Sequence, residues 1–96
     1  MTYAKDDAQW SLLVKSTGMC AFPNCPGRSL QAHHVFRRSL KSVRLLVENG
    51  VCLCHQHHRL LERLPPTQQK QVYMLLVGVQ RYADVEALSR TLQRGS

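Results

Sequence analysis

The sequence predicts a small α+β domain in which two short strands and a helix are flanked by further helices at both ends. Three patterns support this prediction: an amphipathic helix near the N-terminus, two strand-like segments in the middle, and a helical pattern that stops at two prolines and then resumes. A chain of 96 residues is long enough for one domain. We therefore expect a single domain with an N-terminal helix (1–18), a central core (19–64) and C-terminal helices (65–96).

The first helix is predicted over residues 6–17. Two carboxylates lie in its first turn and Gly18 follows its end, as is common at helix termini. Its apolar stripe at helical spacing consists of Trp10, Leu13, Val14 and Thr17. The next segment is rich in turn residues, so a loop is predicted around Cys20 and Cys25.

The central strands are predicted at residues 30–36 (LQAHHVF) and 49–54 (NGVCLC). In the second strand, alternation places Val51 and Leu53 on one face and two cysteines on the other. A basic segment connects the strands, which indicates a hairpin with a basic loop.

Three helices are predicted after the second strand. The first covers residues 55–64 and ends at Pro65 and Pro66, because proline cannot continue the helical hydrogen-bond ladder. The other two cover residues 67–82 and 83–94. Their apolar stripes are Val72, Leu75, Leu76 and Val79 in the one, and Val85, Leu88 and Leu92 in the other.

The charge of the chain indicates a polyanionic partner. The net charge is +7 and the pI is about 9.8, values typical of proteins that bind nucleic acid. Residues 8–47 contain no Asp or Glu, so we expect this surface to face a polyanion without internal neutralisation. Its basic residues are Lys15, Arg28, Arg37, Arg38, Lys41 and Arg44.

The cellular setting predicted from the sequence is the cytoplasm. No apolar run approaches the ~20 residues of a membrane span, and the first five residues lack the apolar stretch of a secretory signal. We therefore expect no membrane partner. In a reducing compartment, four cysteines mixed with histidines favour a metal site over two disulfides.

A structural zinc site is predicted from two short chelating pairs. Cys20 and Cys25 form C-x4-C across a turn, and Cys54 and His57 form C-x2-H where the second strand enters a helix. A competing set replaces His57 with Cys52, which would give four thiolates. The first set is favoured because C-x-C in a straight strand chelates a single ion poorly, and Cys52 is then a small buried apolar residue.

The remaining histidines suggest a second site. His33 and His58 are candidates to bind one divalent ion, with His34 beside them as a base, provided that the strand ends or twists there. His55 is interpreted as incidental. Glu62 lies one turn after His58 and is a candidate to orient its imidazole, although such a residue often only faces water.

These segments resemble the HNH endonucleases, also called ββα-metal or His-Me finger nucleases, and in particular small members with a zinc knuckle. The resemblance rests on C-x4-C, then LQAHHVFRRS, then ENGVCLCHQHH, and covers residues 20–58. It implies a ββα-metal core stapled by structural zinc on Cys20, Cys25, Cys54 and His57.

The resemblance also implies roles for the other site residues. His34 would be the general base, His33 and His58 would bind the catalytic divalent ion, and Asn49 would hold the hairpin loop in shape. Many family members have Asp at the position of His33, and imidazole is less suited to Mg²⁺ than to Mn²⁺, Ni²⁺ or Zn²⁺. The choice among these four ions is therefore open. Relatives of this kind occur in phages and mobile elements, which would place the protein in the host cytoplasm.

The function expected from the sequence is metal-dependent hydrolysis of DNA phosphodiester bonds, with a homodimer possible. The alternative is a non-catalytic, zinc-stapled module that binds nucleic acid. In either case the phosphate contacts are expected from the loop between the strands. The residues predicted for these contacts are Arg37, Arg38, Lys41 and Arg44.

Overall fold

The computed structural model describes the backbone of residues 1–95 and the side chains of residues 1–90. Over this range it has a two-stranded antiparallel sheet and four α-helices, which confirms the α+β class. None of the helices found there combines the length and the apolar character that crossing a membrane requires. In chain order the elements are α1 (Asp7–Val14), β1 (Leu30–His34), β2 (Gly50–Cys54), α2 (His55–Arg63), α3 (Pro66–Val77) and α4 (Val79–Gly95).

Helix α1 begins at a side-chain cap and packs through a narrow face. The carboxylate of Asp6 accepts the backbone N–H of Gln9 at 2.8 Å, which satisfies one of the free donors of the first turn. Trp10 and Val14 are buried, whereas Leu13 is 38% exposed. The predicted stripe is therefore wrong at Leu13, and also at Thr17, which is exposed in the 3-10 turn Lys15–Thr17 that follows the helix.

The two strands pair in a register that places a cysteine and the histidines at opposite ends of the sheet. Leu30 lies opposite Cys54, and His34 lies opposite Gly50. Strand β1 ends at His34, earlier than the predicted residue 36, and every residue of β2 is buried. The sheet consequently carries a cysteine at one end and the paired histidines at the other.

Helix α2 follows β2 without a linker and is closed by a side chain from α3. Leu61 is its buried residue, in a core cluster with Leu53 of β2 and Tyr73 of α3. The Gln69 side-chain amide donates to the carbonyl oxygens of Leu61 and Leu64 at 2.8 and 3.0 Å. These bonds satisfy carbonyls that a helix end leaves free, so α3 is held against α2.

The predicted boundary between the last two helices at residues 82 and 83 is wrong. Helix α3 ends at Val77, and Gly78 has a φ of 91°, a conformation that favours glycine. The helical phase is interrupted there, so Val79 is not in line with the stripe of α3 and is 64% exposed; Leu75, within α3, is 85% exposed and does not pack either. In the second stripe Val85 is buried, and the Leu92 side chain lies outside the described residues.

The long connection between the strands is organised by one buried amide. Asn49 is fully buried; its Oδ1 accepts the Phe36 N–H at 2.7 Å, and its Nδ2 donates to the carbonyls of Phe36 and Val43 at 3.1 and 3.0 Å. The Val35 N–H donates to the Asn49 carbonyl at 2.8 Å. The bonds predicted from Asn49 across the loop are thus present, and they fix the chain directly after His34.

We expect Asn49→Ala to lower the free energy of unfolding by about 2–4 kcal/mol, because it leaves the part-buried N–H and carbonyl of Phe36 without their partner and removes one of the two hydrogen bonds of the buried Val43 carbonyl. Urea denaturation measures this loss. Gln80→Ala is the matched control, since its amide bonds to Asp84 on the exposed surface and its removal should cost less than about 0.5 kcal/mol. Equal losses in the two variants would contradict the role assigned to Asn49.

Candidate metal centre and histidine cleft

One group of cysteines and a histidine is arranged as a metal site. Among the described residues, a single set of three or more Cys, His, Asp or Glu side chains has all its ligand atoms within 4.8 Å of one another. It joins the loop after α1, the end of β2 and the first turn of α2. Its members are Cys20, Cys25, Cys54 and His57.

The distances within this group fit a tetrahedral ion. Zinc lies about 2.3 Å from sulfur and about 2.0 Å from nitrogen, so two sulfur ligands are about 3.8 Å apart and a sulfur and a nitrogen about 3.5 Å. The Sγ atoms of Cys25 and Cys54 are 3.7 Å apart, too far for a disulfide. The His57 Nδ1 lies 3.4, 3.4 and 3.2 Å from the Sγ atoms of Cys20, Cys25 and Cys54. The chemistry and the spacing both suit Zn²⁺.

The surroundings of the group restrain its ligands. Backbone N–H groups of Gly27 and His57 donate to the sulfurs of Cys25 and Cys54 at 3.4 and 3.5 Å, and such donors stabilise thiolates. The bond from His57 lowers the pKa of Cys54. A Cβ atom at position 27 would lie 2.4 Å from the Cys54 Cβ, so glycine is required there. The Phe22 ring stacks on the His57 imidazole, with centroids 3.9 Å apart.

Cys52 lies outside this group. It is 5% exposed and packs in a separate core cluster with Ala4, Trp10 and Val14. Burial raises the pKa of the Cys52 thiol, which disfavours the thiolate. The interpretation of Cys52 as a buried apolar residue therefore agrees with the structure.

A second site is an open cleft of about 470 Å³ at the other end of the sheet. His33 and His34 reach it from the end of β1, and His58 reaches it from α2. The structure thus brings together the three histidines that the sequence predicted to share a site. The polar side chains that also line the cleft are Arg37, Glu62, Gln69 and Tyr73.

His34 is held in one orientation by two contacts. Its Nε2 lies 3.0 Å from the carbonyl oxygen of Arg44; since a carbonyl only accepts, Nε2 must carry the proton and donate. Its ring stacks on the Trp10 indole, with centroids 3.8 Å apart and planes 6° apart. Burial lowers the pKa of His34, so the imidazole is neutral at pH 7. Neutral imidazole with Nε2 protonated leaves Nδ1 as a free base.

The rings of His33 and His58 are in contact, and each ring also has a polar partner of its own. Their ring centroids are 4.7 Å apart, with the planes at 76°. The His33 Nε2 bonds to the Tyr73 hydroxyl at 2.5 Å, and the His58 Nε2 lies 3.3 Å from the Glu62 carboxylate. Burial, together with the neighbouring His58, lowers the pKa of His33 to about 4. The pair is neutral His33 beside a histidine that a carboxylate orients.

The expectation of a basic surface without internal neutralisation is wrong for two of its residues. The Asp7 carboxylate of α1 accepts two hydrogen bonds from the Arg44 guanidinium, one of them from Nε at 3.0 Å. It also lies 3.3 Å from the Arg38 guanidinium. Helix α1 folds back over the loop, so a carboxylate outside residues 8–47 reaches these guanidinium groups. Arg37, which lines the cleft, and Lys41 are exposed without an ion pair among the described side chains.

Three residues of the site were not assigned to it from the sequence. In the sequence, Trp10 belongs to the apolar stripe of the first helix, and its local pattern gives no sign of a stacked histidine. Asp7 is a first-turn acid of the same helix, and nothing in the local sequence distinguishes Tyr73 from its neighbours. Their contacts span 24 to 40 positions along the chain, which no local pattern encodes.

The chain matches no protein-family model, no curated protein and no solved structure.

Proposed function

We propose that the protein is a metal-dependent endonuclease that hydrolyses phosphodiester bonds in DNA. The observation that supports this best is the placement of His34: its imidazole lies at the edge of an open cleft with Nε2 bonded to the Arg44 carbonyl, and Nδ1 makes no hydrogen bond to the side chains or backbone that the structure describes. Neither a structural nor a merely solvated histidine needs this arrangement. A general base does, because it must accept a proton at a defined atom.

In the proposed reaction, His34 Nδ1 removes a proton from a water molecule as the oxygen attacks phosphorus. The bond from phosphorus to the 3′ oxygen breaks, and the departing 3′ oxygen takes a proton from solvent water, which gives a 5′-phosphate and a 3′-hydroxyl, the products that the resemblance implies. The stack on Trp10 and the bond to Arg44 keep the ring aligned while it gains the proton. The Arg44 carbonyl also stabilises the resulting imidazolium through the same hydrogen bond.

His33 and His58 are the residues that would hold the divalent ion. Their rings are adjacent, but the Nε2 atoms already have partners: the Tyr73 hydroxyl for His33 and the Glu62 carboxylate for His58. Each histidine could therefore bind the ion through Nδ1, or through Nε2 once the side chain rotates away from that partner. Two imidazoles suit Mn²⁺, Ni²⁺ or Zn²⁺ at least as well as Mg²⁺. The ion would supply Lewis-acid stabilisation of the phosphate and of the leaving oxygen.

A structural zinc on Cys20, Cys25, Cys54 and His57 completes the proposal. The tetrahedral spacing and the nearby N–H donors support zinc at this group. Such an ion would tie the loop after α1 to the junction of β2 and α2. It would therefore fix the start of the helix that carries His58.

DNA binding would depend first on the basic residues that form no ion pair with the side chains of residues 1–90. Arg37 borders the cleft and would contact phosphate oxygens near the scissile bond, and the exposed Lys41 would contact phosphates farther along the DNA. Arg38 and Arg44 are held by Asp7 and would contribute less. The observations that favour the alternative, a non-catalytic zinc module, are the internal partners of His33 and His58.

Cleavage of supercoiled plasmid with Mg²⁺, Mn²⁺ or Ni²⁺ tests the proposal, with the conversion to nicked circles followed on agarose gels. We expect the wild type to nick the plasmid and His34→Ala to lose at least 100-fold in rate, as expected for removal of a general base. His55→Ala is the matched control, because this histidine is exposed and outside the cleft; it should keep the wild-type rate.

Two results would reject the nuclease. The first is a wild type that binds DNA but never nicks it with any of the three ions, which is the behaviour of the non-catalytic module. The second is a His34→Ala protein that cuts as fast as His55→Ala.

The zinc site is tested by paired cysteine variants. Cys20→Ala should bind far less than one zinc per chain and should lose its cooperative unfolding transition, since zinc binding contributes directly to folding. Cys52→Ala should keep one zinc per chain despite some loss of stability. Metal analysis of the purified proteins and circular dichroism measure these outcomes. A zinc-free Cys20→Ala protein that still unfolds cooperatively would contradict the proposed site.

A further inference from the structure

Helix α1 is connected to His34 in two ways, directly through Trp10 and indirectly through Asp7 and Arg44. The Trp10 indole lies flat on the imidazole, with centroids 3.8 Å apart. Asp7, one helical turn earlier, binds the side chain of Arg44, and the carbonyl of Arg44 accepts the His34 Nε2 proton. One helix therefore acts on both the plane and the edge of the same ring.

The stack is fixed by the packing around it. Trp10 is 3% exposed, and its Nε1 donates to the Leu46 carbonyl at 2.9 Å. A Cβ atom at Gly50, the strand partner of His34, would lie 2.2 Å from Val14 and 2.9 Å from Trp10. The first residue of β2 must consequently be glycine for α1 to come this close, so the indole has little freedom to leave the imidazole.

The contact with Arg44 restrains a segment that has no regular structure of its own. Arg44 lies between β1 and the 3-10 turn Val47–Asn49, and its guanidinium binds Asp7 at two points. A two-point contact fixes orientation as well as position. The backbone carbonyl of the same residue is thereby held where the His34 Nε2 meets it.

We propose that α1 is a positioning element for the base, in which Trp10 sets the plane of the His34 ring and Asp7, through Arg44, sets the tautomer that leaves Nδ1 free. The inference rests on the proposed nuclease function and deepens it. Both residues lie outside the segment that resembles the HNH nucleases. Neither lines the cleft, so they are positioning residues and not catalytic ones.

The first test compares Asp7→Asn with Asp84→Asn in plasmid cleavage. Both variants lose one negative charge, but Asp7 is half-buried against Arg44 and Arg38, whereas the exposed Asp84 accepts the Gln80 side-chain amide of its own helix at 2.9 Å. We expect Asp7→Asn to lower kcat at least tenfold while KM stays constant or falls, because Arg38 and Arg44 become available to phosphates. Asp84→Asn should change neither value. A merely structural defect would instead reduce the folded fraction.

The second test reads His34 without using activity. Long-range ¹H–¹⁵N spectra at neutral pH distinguish the two imidazole tautomers, and a stacked indole shifts the ring protons upfield. We expect the Nε2-protonated tautomer in the wild type and in Asp84→Asn, and a mixture in Asp7→Asn. Trp10→Phe should retain part of the upfield shift and of kcat, whereas Trp10→Leu should lose both.

These measurements separate the two proposals. A wild type that never cleaves, but in which Asp7→Asn shifts the tautomer, would reject the nuclease and keep the positioning of His34. An active wild type with Asp7→Asn and Asp84→Asn alike in kcat and in tautomer would reject the positioning and keep the nuclease.

Discussion

The antiparallel pairing of β1 with β2 is the constraint on which both sites depend. With Leu30 opposite Cys54 and His34 opposite Gly50, the two ends of a five-residue ladder lie about 13 Å apart. One end joins the cysteine group and the other joins the histidine cleft. A shift of one residue in this register would move His33 and His34 to the opposite faces and would dismantle the cleft.

Around this small sheet the chain relies on polar contacts between distant segments as well as on apolar packing. The buried residues form three separate clusters instead of one continuous core. Asn49, Gln69 and Arg81 each donate two side-chain hydrogen bonds to backbone carbonyls of other segments. A domain of this size gains limited stability from burial alone, and a metal ion at the cysteine group would supplement it.

The sequence predicted what local periodicity and chelate spacing encode. The two strands, helix α2 and its stop at Pro65, and the clustering of Cys20, Cys25, Cys54 and His57 all follow from short patterns. What it did not predict depends on tertiary contact or on single residues: Gly78 divides α3 from α4, and Asp7 forms ion pairs with Arg38 and Arg44. The stack of Trp10 on His34 joins residues 24 positions apart, and it forms only when α1 packs onto the sheet.

The central claim is that a closed sulfur-rich site and an open imidazole site are separate and bind different ions. Titration of the zinc-loaded protein with Mn²⁺, followed by NMR of the histidine rings, tests this most directly, because a paramagnetic ion broadens the resonances of nearby nuclei. The account predicts that His33, His58 and His34 broaden first and most strongly as Mn²⁺ is added, and that His57, farther from the ion, broadens less. Broadening of His57 first, or of no histidine at all, would contradict it.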